Sequence, residues 1–265
     1  MKPSKNSRLD LLLVCRKLAP SRSKAAAMIM AGEVTVDSRL VDKPGASVHK
    51  DADIKLKEKP RYASRGGLKL EAALKAFALD PTSKVCADIG ASTGGFTDCL
   101  LQHGAAKVFA IDVGRGLMDY RLRQDDRVEL RENTNARYLK SLGEPIDIAV
   151  IDVSFISLRL ILPAVARILG RPADLIALVK PQFEAGRDHV GKGGIVRDLS
   201  VHKQVLKDVA AFAESLPFSV KGLIRSPITG AKGNVEYLLW LRTQGALTSE
   251  FGLCRKIDEL TSSEL

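Results

Sequence analysis

The chain is poor in cysteine, aromatics and long apolar runs, and each shortage removes a class of protein. Cys15, Cys86, Cys99 and Cys254 are scattered, with no C-x-x-C pair. Neither a disulfide framework nor a zinc site is expected, and a reducing cytoplasm fits such usage. The first apolar cluster, Leu11-Leu12-Leu13-Val14-Cys15, spans five residues between Asp10 and Arg16-Lys17. That is too short for a signal peptide. No stretch approaches the roughly 18 apolar residues of a membrane-spanning helix, so a soluble chain without membrane or metal partners is expected.

What the chain has is basic charge and one glycine turn. The formal net charge is +10, and residues 1–60 hold 13 Lys and Arg against 7 Asp and Glu. A basic segment this short points to a polyanion, most commonly nucleic acid, although charge alone also describes a solvated face. The turn lies in Val85-Cys86-Ala87-Asp88-Ile89-Gly90-Ala91-Ser92-Thr93-Gly94-Gly95-Phe96. A strand buried on both faces would run into it and a helix would start after it. Its G-x-x-x-G-G spacing is not the dinucleotide G-x-G-x-x-G, and it lacks the Lys and hydroxyl pair that holds a triphosphate with magnesium. Asp112 ends the next apolar run, where doubly wound folds hydrogen-bond a ribose diol. An adenosine ligand without phosphates, S-adenosylmethionine, fits these features. The glycines alone would also serve a tight strand-to-helix turn, the lesser reading once Asp112 is counted.

With 265 residues, one ordinary domain and a small companion are expected. Helices over 8–18 and 21–31, the latter with Ser21 as N-cap, precede short strands at 34–36 and 54–56. From Leu68 onward strand and helix signals alternate: helix 68–79, strand 85–89, helix 95–103, strands 107–111 and 146–151, helix 157–169 and strand 173–179. Helix 200–215 and strands near 219–225 and 235–241 follow. This alternation predicts an α/β fold with a mostly parallel, doubly wound sheet and ligands at the carboxyl ends of its strands. The expected division is a first domain over 1–59, a linker over 60–67, the α/β domain over 68–243, and a polar tail or surface helix over 244–265.

The first domain resembles the S4 RNA-binding module through Arg8-Leu9-Asp10, Ser21-Arg22-Ser23-Lys24-Ala25, Gly32-Glu33-Val34-Thr35-Val36 and Lys43-Pro44. The resemblance implies an α+β unit whose basic helix face, with Arg8, Arg16, Arg22 and Lys24, meets structured RNA through phosphate contacts. Arg61 and Arg65, in the glycine- and proline-bracketed segment that follows, are further candidates for RNA contact.

Charged residues also stand where an α/β sheet places active groups. Asp152 ends the apolar run 146–151, Lys180 ends 175–179, Glu236 lies in Asn234-Val235-Glu236-Tyr237-Leu238-Leu239-Trp240, and Lys69 lies on the first helix of the domain. Singly, each is an ordinary strand-end charge about as often as a functional one. The order Lys, Asp, Lys, Glu around the turn resembles the FtsJ-like ribose 2′-O-methyltransferases, and within them the TlyA family. Ser64-Arg65-Gly66-Gly67-Leu68-Lys69-Leu70, Asp88–Thr97, Ile151-Asp152-Val153-Ser154-Phe155-Ile156-Ser157-Leu158 and Val179-Lys180-Pro181-Gln182-Phe183-Glu184 carry that likeness.

The resemblance implies a Rossmann-like class I S-adenosylmethionine-dependent methyltransferase that modifies cytidine 2′-hydroxyls of ribosomal RNA within ribosomal subunits. It implies the catalytic set Lys69, Asp152, Lys180 and Glu236. It also implies a cofactor site at Asp88, Gly90, Ser92, Gly94, Gly95, Phe96, Asp112 and Asp152, with Asn133 or Asn135 near the adenine. On this reading Lys180 accepts or relays the hydroxyl proton, Asp152 orients Lys180, and Glu236 holds Lys69 or the ribose. Phe183 is either a stacking surface for a flipped base or a buried aromatic. The glycine-rich segment 185–197 is either a lid or a plain surface loop. A non-catalytic ribosome-assembly protein and a haemolysin, a description some family members carry, stand as the other readings.

Overall fold

A computed structural model describes residues 5–57, 60–243 and 252–262. The chain divides into two compact units, Met1–Pro60 and Arg61–Leu265.

The first unit contains β1 (Asn6–Arg8), α1 (Leu9–Cys15), α2 (Arg22–Met30), β2 (Val34–Val36), β3 (Arg39–Leu40), β4 (Ser47–His49) and β5 (Ile54–Leu56). β2 is the centre of an antiparallel sheet ordered β3-β2-β5, and β1 pairs with β4. Leu9, Leu13, Ala25, Ile29 and Val34 close the core between the helices and β2. Ser21 caps α2, its hydroxyl accepting from the Lys24 N–H at 3.2 Å. The reading from sequence omitted β1, β3 and β4, which are two or three residues long and give no periodicity to detect.

Asp10, only 2% exposed, organises the charge of this unit. Its carboxylate accepts two hydrogen bonds from Arg8, at 3.0 and 2.8 Å, and one from Arg22 at 2.9 Å. The bond from Arg8 chiefly holds the Asp10 carboxyl far below the usual carboxylate range against the opposing effect of burial. Arg16 donates to the carbonyl of Ala52 at 2.7 Å and to that of Lys50. Three of the four residues expected to face RNA therefore have internal partners. Arg16 in particular ties α1 to the segment before β5, because a guanidinium close to unpaired carbonyls satisfies them.

The second unit opens with α3 (Gly66–Ala76), β6 (Val85–Ile89), α4 (Gly95–Gln102), β7 (Lys107–Ile111), α5 (Tyr120–Arg123) and β8 (Val128–Arg131). There follow β9 (Ile146–Ile151), α6 (Leu162–Ile168), β10 (Leu169–Val179), α7 (Pro181–Glu184), α8 (Leu199–Glu214), β11 (Phe218–Arg225), β12 (Tyr237–Thr243) and α9 (Leu253–Leu260). The seven strands are ordered β11-β12-β10-β9-β6-β7-β8. β8, β7, β6, β9 and β10 are mutually parallel, while β12 runs antiparallel to both its neighbours. The central strands are buried on both faces: Ile89, Ile111 and Ile151 pack toward α6 and α8, and Cys86, Val108 and Ile148 toward α3 and α4.

Several boundaries differ from those read in the sequence. The segment expected as a linker belongs to the second unit from Arg61 onward. The Tyr62 ring is buried, the Ala63 N–H donates to Asp98 at 2.8 Å, and Arg61 pairs with Glu71. The helix expected over 157–169 splits into a 3-10 turn at Leu158–Leu160 and α6, with Pro163 in the first turn of the latter. β8 was missed because this edge strand alternates Val, Glu, Leu and Arg without a buried run. Of the polar tail, residues 244–251 and 263–265 lie outside the described residues. Within 252–262, α9 packs Ile257, fully buried, against the core.

Asp10→Asn should lower the stability of the first unit by about 1–2 kcal/mol at pH 7, since half-exposed arginines discount the pairing. The Asp10 carboxyl lies below its unfolded value, so its contribution is complete above about pH 4 and fades as pH falls further. Urea unfolding of both chains should show a stability difference at pH 7 that narrows toward pH 2. A constant difference would exclude the carboxylate as its source.

Candidate active site

The strand order reverses between β6 and β9, and that reversal opens a crevice at their carboxyl ends. Gly90 leaves β6 with φ +87°, and a Cβ there would lie 2.7 Å from the backbone oxygen of Asp152. Only glycine combines that conformation with so close an approach. The Gly90 and Ala91 N–H groups donate to the Ile111 carbonyl at 2.8 and 3.1 Å, fixing the turn against β7. Asp112, at the end of β7, accepts from the Ser92 N–H at 2.8 Å and the Gly114 N–H at 2.7 Å.

Two adjoining hollows, about 630 and 440 Å³, meet along Gly90, Ser92, Asp152, Ser154 and Phe155. The smaller is bordered by Asp112, Val113, Leu117, Thr134 and Asn135. The larger receives Arg65, Lys69, Asp88, Gly95, Phe96, Asp152, Lys180 and Glu236. Gly94 (φ +91°) caps α4 behind them. Asn135 reaches the smaller hollow while its side chain accepts from the Arg137 N–H at 3.1 Å. Asn133 borders neither hollow, and its backbone turns through φ +51°.

The larger hollow holds two ion pairs. Lys69 of α3 donates to Glu236, immediately before β12, at 2.5 Å, and the two residues are 8% and 3% exposed. Lys180, immediately after β10, lies 2.6 Å from Asp152 Oδ1, and its Nζ donates to the Val153 carbonyl and the Ser154 hydroxyl, each at 2.9 Å. Buried ammonium groups need such partners, because desolvating an unpaired charge costs several kcal/mol. Arg65 lies exposed at the mouth, whereas Arg61 is engaged by Glu71. Among the described residues no cluster of His, Cys, Asp or Glu could hold a metal ion, and no helix is long and apolar enough to cross a membrane.

Asp88 is a third kind of acidic group. Fully buried, it accepts from the Thr97 hydroxyl at 2.7 Å through Oδ2, while Oδ1 has no hydrogen-bond partner. Burial pushes its carboxyl up to about 7, and the nearby Asp152 charge adds to the rise.

Reasoning from sequence missed several residues here. Thr97 carried a signal, since it lies within the first turn of α4, beside the end of β6. Gly230 carried none: a Cβ at that position would overlap the Glu236 carboxylate, so the loop before β12 approaches through glycine. Phe155 is 91% exposed with φ +62°, its ring 5.0 Å from that of half-buried Phe183. Ser64, Ser154 and Gln182 also reach the larger hollow. Within 185–197, Gly191 and Ile195 form a bridge, Asn234 accepts from the Val196 N–H at 3.3 Å, and Asn234 donates to the Gly194 carbonyl at 2.9 Å. His189 borders neither hollow.

Comparison with known proteins agrees with this architecture. Residues 62–243 match the FtsJ-like methyltransferase family and residues 7–54 the S4 domain. The chain is 44% identical to the 16S/23S rRNA (cytidine-2′-O)-methyltransferase TlyA of Mycobacterium tuberculosis, over 91% of each chain. It is 42% identical to Hemolysin A of Brachyspira hyodysenteriae, over 87% of this chain and 98% of that one. A solved structure from Streptococcus thermophilus, 47% identical, covers 97% of this chain and 94% of its own, with a TM-score of 0.71. A basic α+β unit, a glycine turn at the switch point and matches across both units lead to one assignment: the chain belongs to the TlyA family of S4-domain, FtsJ-like methyltransferases.

Proposed function

We propose that the second unit methylates the ribose 2′-hydroxyl of cytidine in ribosomal RNA, using S-adenosylmethionine, and that the first unit docks the RNA. The observation that carries this reading is the pair of lysine–carboxylate contacts facing one hollow beside the glycine turn. The cofactor fits the residues present. Gly90 leaves a cradle that a Cβ would fill, Asp88 Oδ1 is an orphaned buried oxygen suited to a cation, and Asp112 offers acceptors where a ribose diol would lie. When bound, S-adenosylmethionine supplies an electrophilic methyl group on a positively charged sulfur.

The chain's own work is alignment and the handling of one proton. Lys69, held by Glu236, fixes one side of the ribose, and Lys180 fixes the other. Holding the hydroxyl oxygen in line is worth many orders of magnitude in rate. Lys180 Nζ first gives a proton to Asp152 Oδ1, 2.6 Å away, and the lone pair so freed takes the 2′-hydroxyl proton as the oxygen bonds to the methyl carbon. Asp152 also lies where both hollows meet, so its carboxylate serves the cofactor side as well as the lysine.

Incubating the full chain and its Lys69→Ala variant with labelled S-adenosylmethionine and separate small subunits, large subunits and naked RNA tests the reading directly. Label mapped by mass spectrometry to a cytidine 2′-oxygen, and lost in the variant, is the expected result. Cofactor binding without transfer to any RNA would favour the non-catalytic assembly role. In steady-state kinetics, Lys180→Ala should lose about 10²–10⁴-fold in kcat with cofactor affinity unchanged. Asp152→Ala should lose both turnover and affinity.

Asp88 gives cofactor binding a pH dependence whose sign is fixed. A carboxyl raised to about 7 is protonated below that pH, and the cationic cofactor favours its ionised form. Affinity should weaken by about fivefold to tenfold for each pH unit below 7, and Asp88→Asn should flatten the profile. The same shift makes the unliganded unit lose stability as pH rises from about 4 to 7, because the unfolded carboxyl ionises first. Calorimetric titration of the full chain between pH 6 and 8 measures the first effect. A flat wild-type profile would remove Asp88 from the cofactor's surroundings.

A further inference from the structure

A third hollow, about 780 Å³, adjoins the larger one across Phe155, Gln182 and Phe183, with Leu160, Arg137 and Arg187 on its other sides. Four buried side-chain oxygens have no hydrogen-bond partner among the described residues: Tyr62 Oη, Asp88 Oδ1, Asp152 Oδ1 and Gln182 Oε1. The Asp152 atom has its ion pair with Lys180, Asp88 borders the larger hollow, and Tyr62 lies within the core. Of these four residues only Gln182 borders the third hollow. Leaving a buried acceptor unmet costs about 1–3 kcal/mol, a cost that a ligand donor would relieve.

We infer that Gln182 reads the target nucleobase, its Oε1 accepting a hydrogen bond from the exocyclic amino group of cytosine. This rests on the 2′-O-methylation reading. The base is attached to the ribose carbon next to C2′. When the ribose lies between Lys69 and Lys180, the base therefore falls into a neighbouring space, and the third hollow borders the lysine site through Gln182 itself. The Phe155 and Phe183 rings, with centroids 5.0 Å apart, give that space an apolar wall suited to a flat ring. Cytosine offers an N–H donor where uracil offers a carbonyl oxygen. Against Gln182 Oε1, uracil would set acceptor against acceptor. A site built around a required hydrogen bond rejects the analogue that lacks the donor far more strongly than a merely apolar pocket does.

Gln182 is therefore a specificity residue, and neither alignment nor proton transfer depends on it. Its position also explains why the side chain sits on α7, only two residues after Lys180. That four-residue helix turns the chain from the ion pair of the ribose site to the wall of the base site.

The test compares the full chain with Gln182→Met, which keeps length without polarity, and Gln182→Glu, which keeps acceptors but has no amide donor. Substrates are ribosomal subunits carrying cytidine or uridine at the methylated position. The wild type should favour cytidine by about 100-fold or more in kcat/KM. Gln182→Met should bring the ratio below about tenfold, chiefly by losing cytidine methylation, while S-adenosylmethionine affinity in calorimetry stays within about twofold. Gln182→Glu should retain the preference. An unchanged ratio in Gln182→Met, a wild type indifferent to the base, or loss of the preference in Gln182→Glu would overturn the assignment while leaving 2′-O-methylation standing. Loss of cofactor binding in Gln182→Met would place the side chain with the cofactor instead. Absence of transfer to any RNA by the wild type would overturn both readings together.

Discussion

Two ammonium groups, Lys69 and Lys180, buried in one hollow and each matched to a carboxylate, are the constraint around which the second unit is arranged. Neither pair can be made locally. Lys69 comes from α3, Asp152 and Lys180 from the ends of adjacent parallel strands, and Glu236 from the start of β12. An antiparallel last strand is what brings the beginning of a strand, rather than its end, to the carboxyl edge of the sheet. Breaking either pair leaves an uncompensated buried charge, which costs about 3–5 kcal/mol. The groups proposed to handle substrate are therefore also groups the fold must satisfy, and the glycines at 90 and 230 keep backbone and carboxylate close enough for it.

The parts of this architecture legible in the sequence were those written as local pattern. Strands 85–89, 107–111 and 146–151 coincide with β6, β7 and β9 because burial on both faces produces uninterrupted apolar runs. The glycine turn was legible because its spacing is a backbone requirement. β8 was not, since an edge strand with alternating charge resembles a loop. Residues 60–67 read as a linker by composition, yet from Arg61 onward the buried Tyr62 ring binds them to α3 and α4. Of the residues around the hollows, Lys69, Asp152, Lys180 and Glu236 stood out as charges in or beside apolar runs, and the structure brings all four together. Gln182 and Phe155 carried no comparable mark. What distinguishes them is an orphaned oxygen and a left-handed backbone, and both are properties of the folded chain alone.

In the first unit the same physics works at the surface. A single buried carboxylate, Asp10, gathers Arg8 and Arg22, leaving their side chains 48% and 59% exposed. Guanidinium groups held in this way have already lost much of the rotamer freedom that a phosphate contact would otherwise remove, and each keeps donors outside the pair. The carboxylate lowers the net positive charge of the face but fixes its geometry. Arg16 is different: its donors complete the backbone hydrogen bonding before β5.

The ion pair between Lys69 and Glu236 spans 167 residues of chain. Synthesis proceeds from the N-terminus, so α3 leaves the ribosome long before β12 exists, and its lysine has no matching carboxylate until the last strand of the sheet is delivered. β12 also separates β11 from β10, so the sheet cannot close in its final order without the segment that carries Glu236. A nascent chain can thus build the parallel half and its glycine turn early, yet it acquires the complete set of charges only once the segment leading into β12 has been made. The timing of assembly is set by strand order, and a chain that stops short of β12 has no means of completing the Lys69 ion pair.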